Sequence, residues 1–269
     1  MNSQTLNSKD PKPGDSYVQS FARGLEVIRS FSAQAPQQTL SEVATQTGLT
    51  RAGARRILLT LQTLGYVDTD GKLFRLSPRI LDLGFAYLSS LPIWNLAEPV
   101  MEDLVEEVRE SSSAAALDGL DIVYVLRVPT HKIMRTSLGV GSRLPAPWTS
   151  MGRMLLAGLD DAQLLARLQP LAEQPLERLT AHTTTELPAL VEHIRRARAQ
   201  GWCLVNQELE EGLISVAAPL TDRTGRTVAA LNISGQANRS TPKMMQETLL
   251  PPLLKAAKTI SRMMGAPGI

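Results

Sequence analysis

The chain has 269 residues, of which 43% are hydrophobic, and a formal net charge of +2 at pH 7. That length and composition allow a sizeable core and two domains, while the small net charge does not by itself indicate a nucleic-acid binder. The single cysteine, Cys203, excludes an intramolecular disulfide. We expect a cytoplasmic protein, since the N-terminal segment lacks the apolar core of a signal peptide and no run approaches the ~18 apolar residues of a membrane span.

Charge is unevenly distributed along the chain. Residues 17–76 carry seven Lys or Arg side chains against four acidic ones, and the remainder is close to neutral. Residues 1–15 are polar, so we expect a disordered tail that buries too little apolar area to fold. The pattern that follows predicts a supporting helix capped by Ser20. Its predicted apolar face consists of Phe21, Leu25, Ile28 and Phe31.

The stretch TLSEVATQTGLTRAGARRILLTLQTLGYV is typical of a helix-turn-helix. Thr39 and Glu42 have the spacing of a capping box, which predicts a short helix that ends at Gly48. Thr50 can cap a second helix, which should run from residue 51 to about residue 64. These signals together predict two short helices that cross at a tight turn.

The segment YVDTDGKLFRL follows the second helix and predicts a β-hairpin. Strand-like residues lie on both sides of Asp70 and Gly71, a strong turn pair. We therefore predict a winged helix-turn-helix domain over residues 16–77. The wing carries Lys72 and Arg75, which could contact phosphate or simply solvate the surface.

The second helix has two different faces when its residues are placed 100° apart. The predicted inward face consists of Ala54, Ile57, Leu58, Leu61 and Leu64. The opposite face holds three arginines and no acid, which suits a phosphate-lined groove and guanine edges. The alternative is that these arginines only solvate a surface helix. The predicted DNA-contacting residues are Ser41, Thr50, Arg51, Ala52, Arg55, Arg56, Lys72 and Arg75.

A linker helix is predicted over residues 78–92. Ser77 followed by Pro78 is a cap with proline at the first helical position. The body of the helix, RILDLGFAYLSSL, is apolar around most of its circumference, and its own chain cannot cover such a helix alone. We predict that it packs against a second subunit.

The sequence pattern of residues 93–269 predicts a domain of mixed helices and strands. Strand-like runs occur in SSAAALDGLDIVYVLRVP, KIMRTSLGVG, ISVAAPL and TVAALNISG. Helical patterns precede, separate and follow these runs. Strands in runs with helices grouped around them predict an α+β domain with an antiparallel sheet flanked by helices.

With both halves in view, the chain resembles the IclR family of bacterial transcriptional regulators from about residue 17 to residue 264. The matching stretches are SFARGLEVIRSF, LQTLGYVDTDGKLFRLSPRILDLG, GSRLPAPWTSMGRMLLA and GWCLVNQELEEGLISVAAPLTDRTGRTVAALNISG. The chain is most similar to the subgroup that controls β-ketoadipate pathway genes in response to protocatechuate, 4-hydroxybenzoate or β-ketoadipate. The resemblance implies a homodimer or homotetramer whose GAF-like C-terminal domain binds a small organic acid.

The resemblance also implies the residues of an effector pocket. The pocket wall at the helix start after the proline-rich loop falls on Thr149, Ser150, Met151 and Gly152, where free N–H groups and the helix dipole would favour an anion. The alternative is that Thr149 or Ser150 only caps the helix. The other positions carried over are Asn206, Gln207, Ser215, Asn232 and Ser234. Arg127 and Arg135 are candidates for binding a ligand carboxylate, or else surface or interface arginines.

These observations favour a ligand-responsive regulator of aromatic-acid catabolism that binds double-stranded operator DNA and is not an enzyme. No cofactor or metal is expected, since the three histidines are far apart in the sequence. Two other functions remain open. One is a small-acid enzyme with an attached DNA-binding head, and the other is an architectural protein that binds DNA of any sequence.

Overall fold

The computed structural model describes residues 17–90, 93–130, 138–173 and 176–266, except for the side chains of residues 88–90 and 93. The chain divides into two compact units between Ser89 and Ser90. This division falls inside the predicted linker, although the domain limits themselves stay a prediction. The predicted tail and Arg135 lie outside the described residues. Among the described helices, none is long and apolar enough to cross a membrane.

The N-terminal unit combines helices with a small antiparallel sheet. Its helices are α1 (Gln19–Ser30), α2 (Leu40–Thr47), α3 (Arg51–Thr63) and, after a 3-10 turn at Pro78–Ile80, α4 (Leu81–Ser90). Its strands are β1 (Gln38–Thr39), β2 (Val67–Thr69) and β3 (Leu73–Leu76), in the order β1-β3-β2. The predicted winged helix-turn-helix is confirmed, and β1 adds a third strand that the sequence did not indicate.

Local capping explains where the two central helices begin and end. The Thr39 hydroxyl accepts a hydrogen bond from the N–H of Glu42, whose carboxylate accepts one from the N–H of Thr39 at 2.7 Å. Gly48 ends α2 with a φ of 65°, a conformation that glycine adopts without strain. The Thr50 hydroxyl accepts a hydrogen bond from the N–H of Gly53 at 3.1 Å and starts α3. The predicted capping signals are therefore confirmed.

The supporting helix packs differently from the prediction. Helix α1 begins at Gln19 after Val18, which forms no side-chain cap, so Ser20 is not the capping residue. Phe21 and Leu25 are 68% and 39% exposed, while Val27 is fully buried. Only the C-terminal half of α1 reaches the core of this unit, and its first turns present apolar side chains to solvent.

The inward face of α3 largely agrees with the prediction. Ala54, Leu58 and Leu61 are buried in the core of the N-terminal unit, together with Val43 of α2. Leu64 is 51% exposed because it follows the last residue of the helix and lies outside the packed arc. The opposite face of α3 is therefore the one turned to solvent.

The C-terminal unit contains a six-stranded antiparallel sheet and the remaining helices. Its strands are β4 (Ser111–Asp118), β5 (Asp121–Val128), β6 (Arg143–Pro145), β7 (Cys203–Asn206), β8 (Leu213–Thr221) and β9 (Thr227–Gln236), in the order β6-β5-β4-β9-β8-β7. Its helices are α5 (Ile93–Val108), α6 (Ser150–Ala157), α7 (Asp161–Ala172), α8 (Leu187–Gln200), α9 (Pro242–Met244) and, after a π-helical segment at Met245–Leu249, α10 (Leu250–Met263). The predicted α+β class is confirmed.

The strand predicted in the segment KIMRTSLGVG falls largely outside the described residues. In the segment KIMRTSLGVG, residues 138–141 do not form a strand, and residues 131–137 lie outside the described part. Gly141 has a φ of 86°, and its N–H donates to the carbonyl oxygen of Tyr124. Residues 138–141 therefore lead through a turn to the strand β6, which begins at Arg143.

One face of the large sheet is lined by small side chains where helix α6 packs. Ala115, Ala217 and Ala230 are fully buried on this face, and they share a core with Met154 of α6. Because alanine has only a methyl side chain, the helix can approach the sheet closely. The same face continues to polar residues beyond the N-terminus of α6, which places that N-terminus above hydroxyl and amide side chains.

Candidate functional site

The outer face of α3 is a basic surface. Arg51, Arg55 and Arg56 are exposed, and no ion pair found among the described residues involves them. The wing turn is fixed by Asp70, whose carboxylate accepts hydrogen bonds from two backbone N–H groups. All the predicted DNA-contacting residues are exposed: Ser41, Thr50, Arg51, Ala52, Arg55, Arg56, Lys72 and Arg75. This surface can present several guanidinium groups to an anionic partner.

The C-terminal unit contains a cavity of about 780 Å³ between the sheet, the start of α6 and the loop after β7. Its volume lies within the range of roughly 300–1,000 Å³ that is usual for small-molecule pockets. The predicted effector residues that line it are Arg127, Thr149, Ser150, Met151, Gln207, Ser215, Asn232 and Ser234. Residues from three strands, the loop after β7 and one helix start are therefore brought together in one cavity.

Polar side chains form a connected row across this face of the sheet. Arg127 donates to the hydroxyl of Ser113 at 3.2 Å, and the N–H of Ser113 donates to the Asn232 side-chain oxygen at 3.0 Å. The amide nitrogen of Asn232 donates to the hydroxyl of Ser234 at 2.8 Å. Since Arg127 has five N–H donors, most of its hydrogen-bonding capacity remains for another acceptor.

The start of α6 supplies further donors to the cavity. The Thr149 hydroxyl accepts from the N–H of Gly152 at 3.1 Å, so Thr149 does cap this helix. The backbone N–H groups of Ser150 and Met151 have no acceptor within the described part of the protein. Ser150 also shares a hydrogen bond of 2.8 Å with Ser215, hydroxyl to hydroxyl. First-turn N–H groups and the helix dipole together favour an anion at this position.

Gly152 does not line the cavity, contrary to the prediction. A Cβ atom at this position would lie 2.1 Å from the carbonyl oxygen of Ala146. The glycine therefore lets α6 pack directly on the Ala146–Trp148 turn, which is a 3-10 turn before the helix. Its role is to place the start of α6 beside the cavity.

Asn206 also lies away from the cavity lining. Successive side chains of a strand point to opposite faces, and it is Val205 of β7 that lines the cavity. The side-chain oxygen of Asn206 is buried without a hydrogen-bond partner among the described residues. The next residue, Gln207, reaches the cavity again with a φ of 60°, which is uncommon for a residue other than glycine.

Several residues of the cavity wall were missed by the sequence analysis. The apolar ones are Tyr124, Leu138, Leu144, Trp148, Leu209 and Leu213, and the charged ones are Glu110, Glu210, Glu211 and Arg239. Burial raises the pKa of the Tyr124 phenol, against the opposing charge of Arg127, so the group stays a neutral donor. Trp148 alone had a signal in the sequence, since it precedes the predicted pocket wall directly.

Metal binding finds no support in the described residues. They contain no group of three or more His, Cys, Asp or Glu side chains that could hold a metal ion. Burial raises the pKa of the Cys203 thiol to about 12. This thiol is therefore uncharged at neutral pH and belongs to the core.

Comparison with known proteins relates both units to one family. Residues 20–71 match the IclR helix-turn-helix domain, and residues 85–262 match the bacterial transcriptional regulator IclR C-terminal domain. The Pca regulon regulatory protein of Pseudomonas putida is 40% identical over 245 residues, which cover 91% of this chain and 83% of that protein. The p-hydroxybenzoate hydroxylase transcriptional activator of Acinetobacter baylyi is 34% identical over 251 residues, which cover 91% and 92%.

A solved structure gives the same relationship in three dimensions. The crystal structure of a protein described as a transcriptional regulator from Rhodococcus sp. RHA1 superposes with a TM-score of 0.82. The two chains are 49% identical, and the match covers 92% of this chain and 98% of that one. From its sequence and its fold, the chain belongs to the IclR family of bacterial transcriptional regulators.

Proposed function

We propose that the chain regulates genes of aromatic-acid catabolism by binding operator DNA through α3 and a small aromatic or dicarboxylic acid in the cavity. The observation that carries the proposal is a cavity that joins anion-binding donors to an apolar wall. Two relatives are named as regulators of the Pca regulon and of p-hydroxybenzoate hydroxylase, which supports an effector of this class. The cavity acts as a sensor in this proposal, so we expect the bound acid to be released unchanged.

The apolar part of the cavity suits a flat ring. Leu138, Leu144 and Met151 line it together with the aromatic side chains of Tyr124 and Trp148. The indole N–H of Trp148 donates to a backbone carbonyl at 3.0 Å, which fixes the orientation of the ring. Aromatic side chains interact favourably with a ligand ring in offset-stacked or edge-to-face geometry.

The charged groups of the cavity differ in their exposure to water. Arg127 and Glu110 are half-buried, whereas Glu210, Glu211 and Arg239 are exposed. Water and salt screen exposed charges more strongly than buried ones, so Arg127, Glu110 and the start of α6 should contribute most to the field inside the cavity. Beside Arg127 and the first-turn N–H groups of α6, that field would favour the carboxylate of an aromatic acid over a neutral ligand.

We expect Arg127→Ala to weaken binding of 4-hydroxybenzoate by roughly ten- to a hundredfold, because a hydrogen bond to a charged group contributes about 1.5–3 kcal/mol. Isothermal titration calorimetry of the full chain measures this affinity. Arg226→Ala is the matched control, since Arg226 lies in the β8–β9 connection, outside the cavity lining. Equal affinities for the two variants would contradict the role given to Arg127.

The choice of effector class is tested by the same titration on the unaltered chain. Binding of 4-hydroxybenzoate, protocatechuate or β-ketoadipate, with recovery of the acid unchanged by chromatography, would support the proposal. Failure of all three to bind, or turnover of any of them, would overturn it. A thermal-shift measurement gives a second readout, since a ligand that binds only the folded form raises its stability.

We also propose that two copies of the chain pair through α4. Residues 81–87 of this helix are all exposed, including Leu81 at 70% and Phe85 at 67%. Several exposed large apolar side chains on one short helix are typical of an interface. A symmetric pair would present two copies of α3 to neighbouring half-sites of an operator.

Phe85→Glu should convert the dimer into a monomer at micromolar concentration, because a carboxylate in the centre of an apolar interface loses its hydration without a partner. Analytical ultracentrifugation measures the mass. Leu165→Glu is the control, since Leu165 is a 52% exposed apolar residue on α7. A monomeric unaltered chain, or a dimeric Phe85 variant, would contradict pairing through α4.

A further inference from the structure

A buried ion pair lies beside the cavity without lining it. Arg153 is on α6, and Glu208 follows β7. The two terminal nitrogens of Arg153 donate to the two carboxylate oxygens of Glu208, each at 2.7 Å. The side chains are 3% and 11% exposed, so water reaches neither to any large extent.

Two further segments form hydrogen bonds with this ion pair. The Nε–H of Arg153 donates to the carbonyl oxygen of Pro147 at 2.8 Å, which fixes the turn that carries Trp148. The N–H of Thr184 donates to the Glu208 carboxylate at 2.9 Å. The carbonyl oxygen of Thr184 then accepts from the Trp148 indole. The pair therefore determines the orientation of Trp148 from two directions.

The loop after β7, which lines the cavity, forms hydrogen bonds with the segment that contains Thr184. The hydroxyl of Thr183 donates to the backbone carbonyl of Glu208 at 2.7 Å, and that of Thr180 donates to the carbonyl of Gln207 at 2.6 Å. Gln207 has the uncommon positive φ, and its side-chain oxygen accepts from the N–H of Gly212 at 2.9 Å. Contacts at the adjacent residues Gln207 and Glu208 therefore hold the loop conformation.

We propose that Arg153 and Glu208 are positioning residues that set the shape of the cavity and thereby its affinity for the effector. The pair joins the start of α6, the Ala146–Trp148 turn, residues 180–184 and the loop over residues 207–213. Replacing a buried ion pair by apolar residues is often neutral or favourable for stability, so folding alone does not require one here. What the pair adds is a fixed mutual position for several walls of one cavity. Only the statement about affinity rests on the proposed function.

Hydrogen exchange of the full chain without ligand tests the positioning role directly. Glu208→Gln keeps the size of the side chain but removes its charge. We expect the hydrogen-bonded amides of Gln207, Gly212, Leu213, Thr149 and Gly152 to exchange about tenfold faster or more. The amides of α10 should keep their rates, as in a local opening. Arg153→Lys keeps a positive charge but loses the paired geometry, and it should change the same amides. Uniform acceleration across the unit, or no change, would overturn the proposal.

The matched control is Asp161→Asn. Asp161 accepts hydrogen bonds from Arg195 and Arg198 at 2.9 and 2.6 Å, and all three are exposed and outside the cavity lining. This control removes a paired carboxylate of the same unit and should leave residues 207–213 unchanged. Faster exchange there in the control would show that any lost ion pair loosens the loop, which would overturn the specific role of Glu208.

A titration with 4-hydroxybenzoate tests the consequence for affinity. We expect Glu208→Gln to raise the dissociation constant about tenfold or more, and Asp161→Asn to leave it unchanged, since a less ordered site binds its ligand with a larger entropy loss. Unchanged affinity in the folded Glu208 variant would overturn the positioning role. If the unaltered chain does not bind this acid, the proposal that 4-hydroxybenzoate is an effector is wrong. The exchange experiment still decides whether the ion pair holds the cavity walls.

Discussion

Replacing Arg55 and Arg56 together by alanine is expected to abolish operator recognition while the protein stays folded. Both side chains are exposed on α3, so their removal leaves the core of the N-terminal unit intact. An arginine that reads a guanine contributes about 1–3 kcal/mol, so two such losses would weaken operator binding by roughly two to four orders of magnitude. Fluorescence anisotropy with a labelled operator fragment measures the affinity.

The salt dependence of the same binding separates two roles for each arginine. Loss of a base-reading arginine should lower the affinity for the operator but hardly that for random DNA. Loss of an arginine that contacts only phosphate should weaken binding to both and reduce the slope of log K against log salt by about one. Arg226→Ala is the control in the C-terminal unit. Operator affinity that is the same for the double variant and the control would refute the assignment of α3 as the reading helix.

The winged helix-turn-helix was predictable because its signals are local. The reciprocal contacts of Thr39 and Glu42 involve residues three apart, and the turn at Asp70 and Gly71 closes over four residues. Nothing distant in the chain has to be known to interpret such patterns. The same local chemistry also gave the start of α3 at Thr50 and the end of α2 at Gly48.

The coverage of apolar faces was less predictable. A periodic apolar pattern identifies a face but does not say which element covers it. Phe21 and Leu25 follow the pattern of an inward face, yet they are exposed because α1 packs only through its second half. The exposed apolar residues of α4 show the converse case, since there the sequence alone indicated a face without a cover in its own chain.

The cavity lining was partly predictable from the family resemblance. Thr149, Ser150 and Met151 do line the cavity, while Gly152 beside them packs on Ala146. Sequence cannot show such a close approach of two backbones. The ion pair was missed because its members are 55 residues apart and meet only in the folded unit. One signal was available, since Arg153 interrupts the otherwise apolar run SMGRMLLA.

Arg153→Met should destabilise the C-terminal unit by about 3–5 kcal/mol at neutral pH, because it leaves a buried carboxylate without its partner. In the intact protein, burial raises the pKa of Glu208, but hydrogen bonds and charge from Arg153, with Thr184, outweigh it and hold the pKa below its usual value. The ionised carboxylate therefore stabilises the fold at pH values above its usual pKa. This contribution is lost as the pH falls through the lowered pKa.

The sign of the pH dependence reverses in the variant. Without Arg153, burial should raise the pKa of Glu208 above its usual value, so protonation relieves the unpaired charge. The gap between the free energies of unfolding of the variant and the intact chain should therefore narrow as the pH is lowered from about 7 to about 5. Urea unfolding of the full chain, followed at several pH values, measures the gap.

A double variant, Arg153→Met with Glu208→Leu, separates an unpaired charge from lost packing. If the cost of the single variant comes from the stranded carboxylate, removing that carboxylate should restore most of the stability at neutral pH and abolish the pH dependence of the gap. Additive destabilisation in the double variant would contradict this account. If the double variant does regain its stability, it still lacks the ion pair that fixes the cavity walls. Weak binding of 4-hydroxybenzoate by that stable variant would show that the ion pair serves the site rather than the fold.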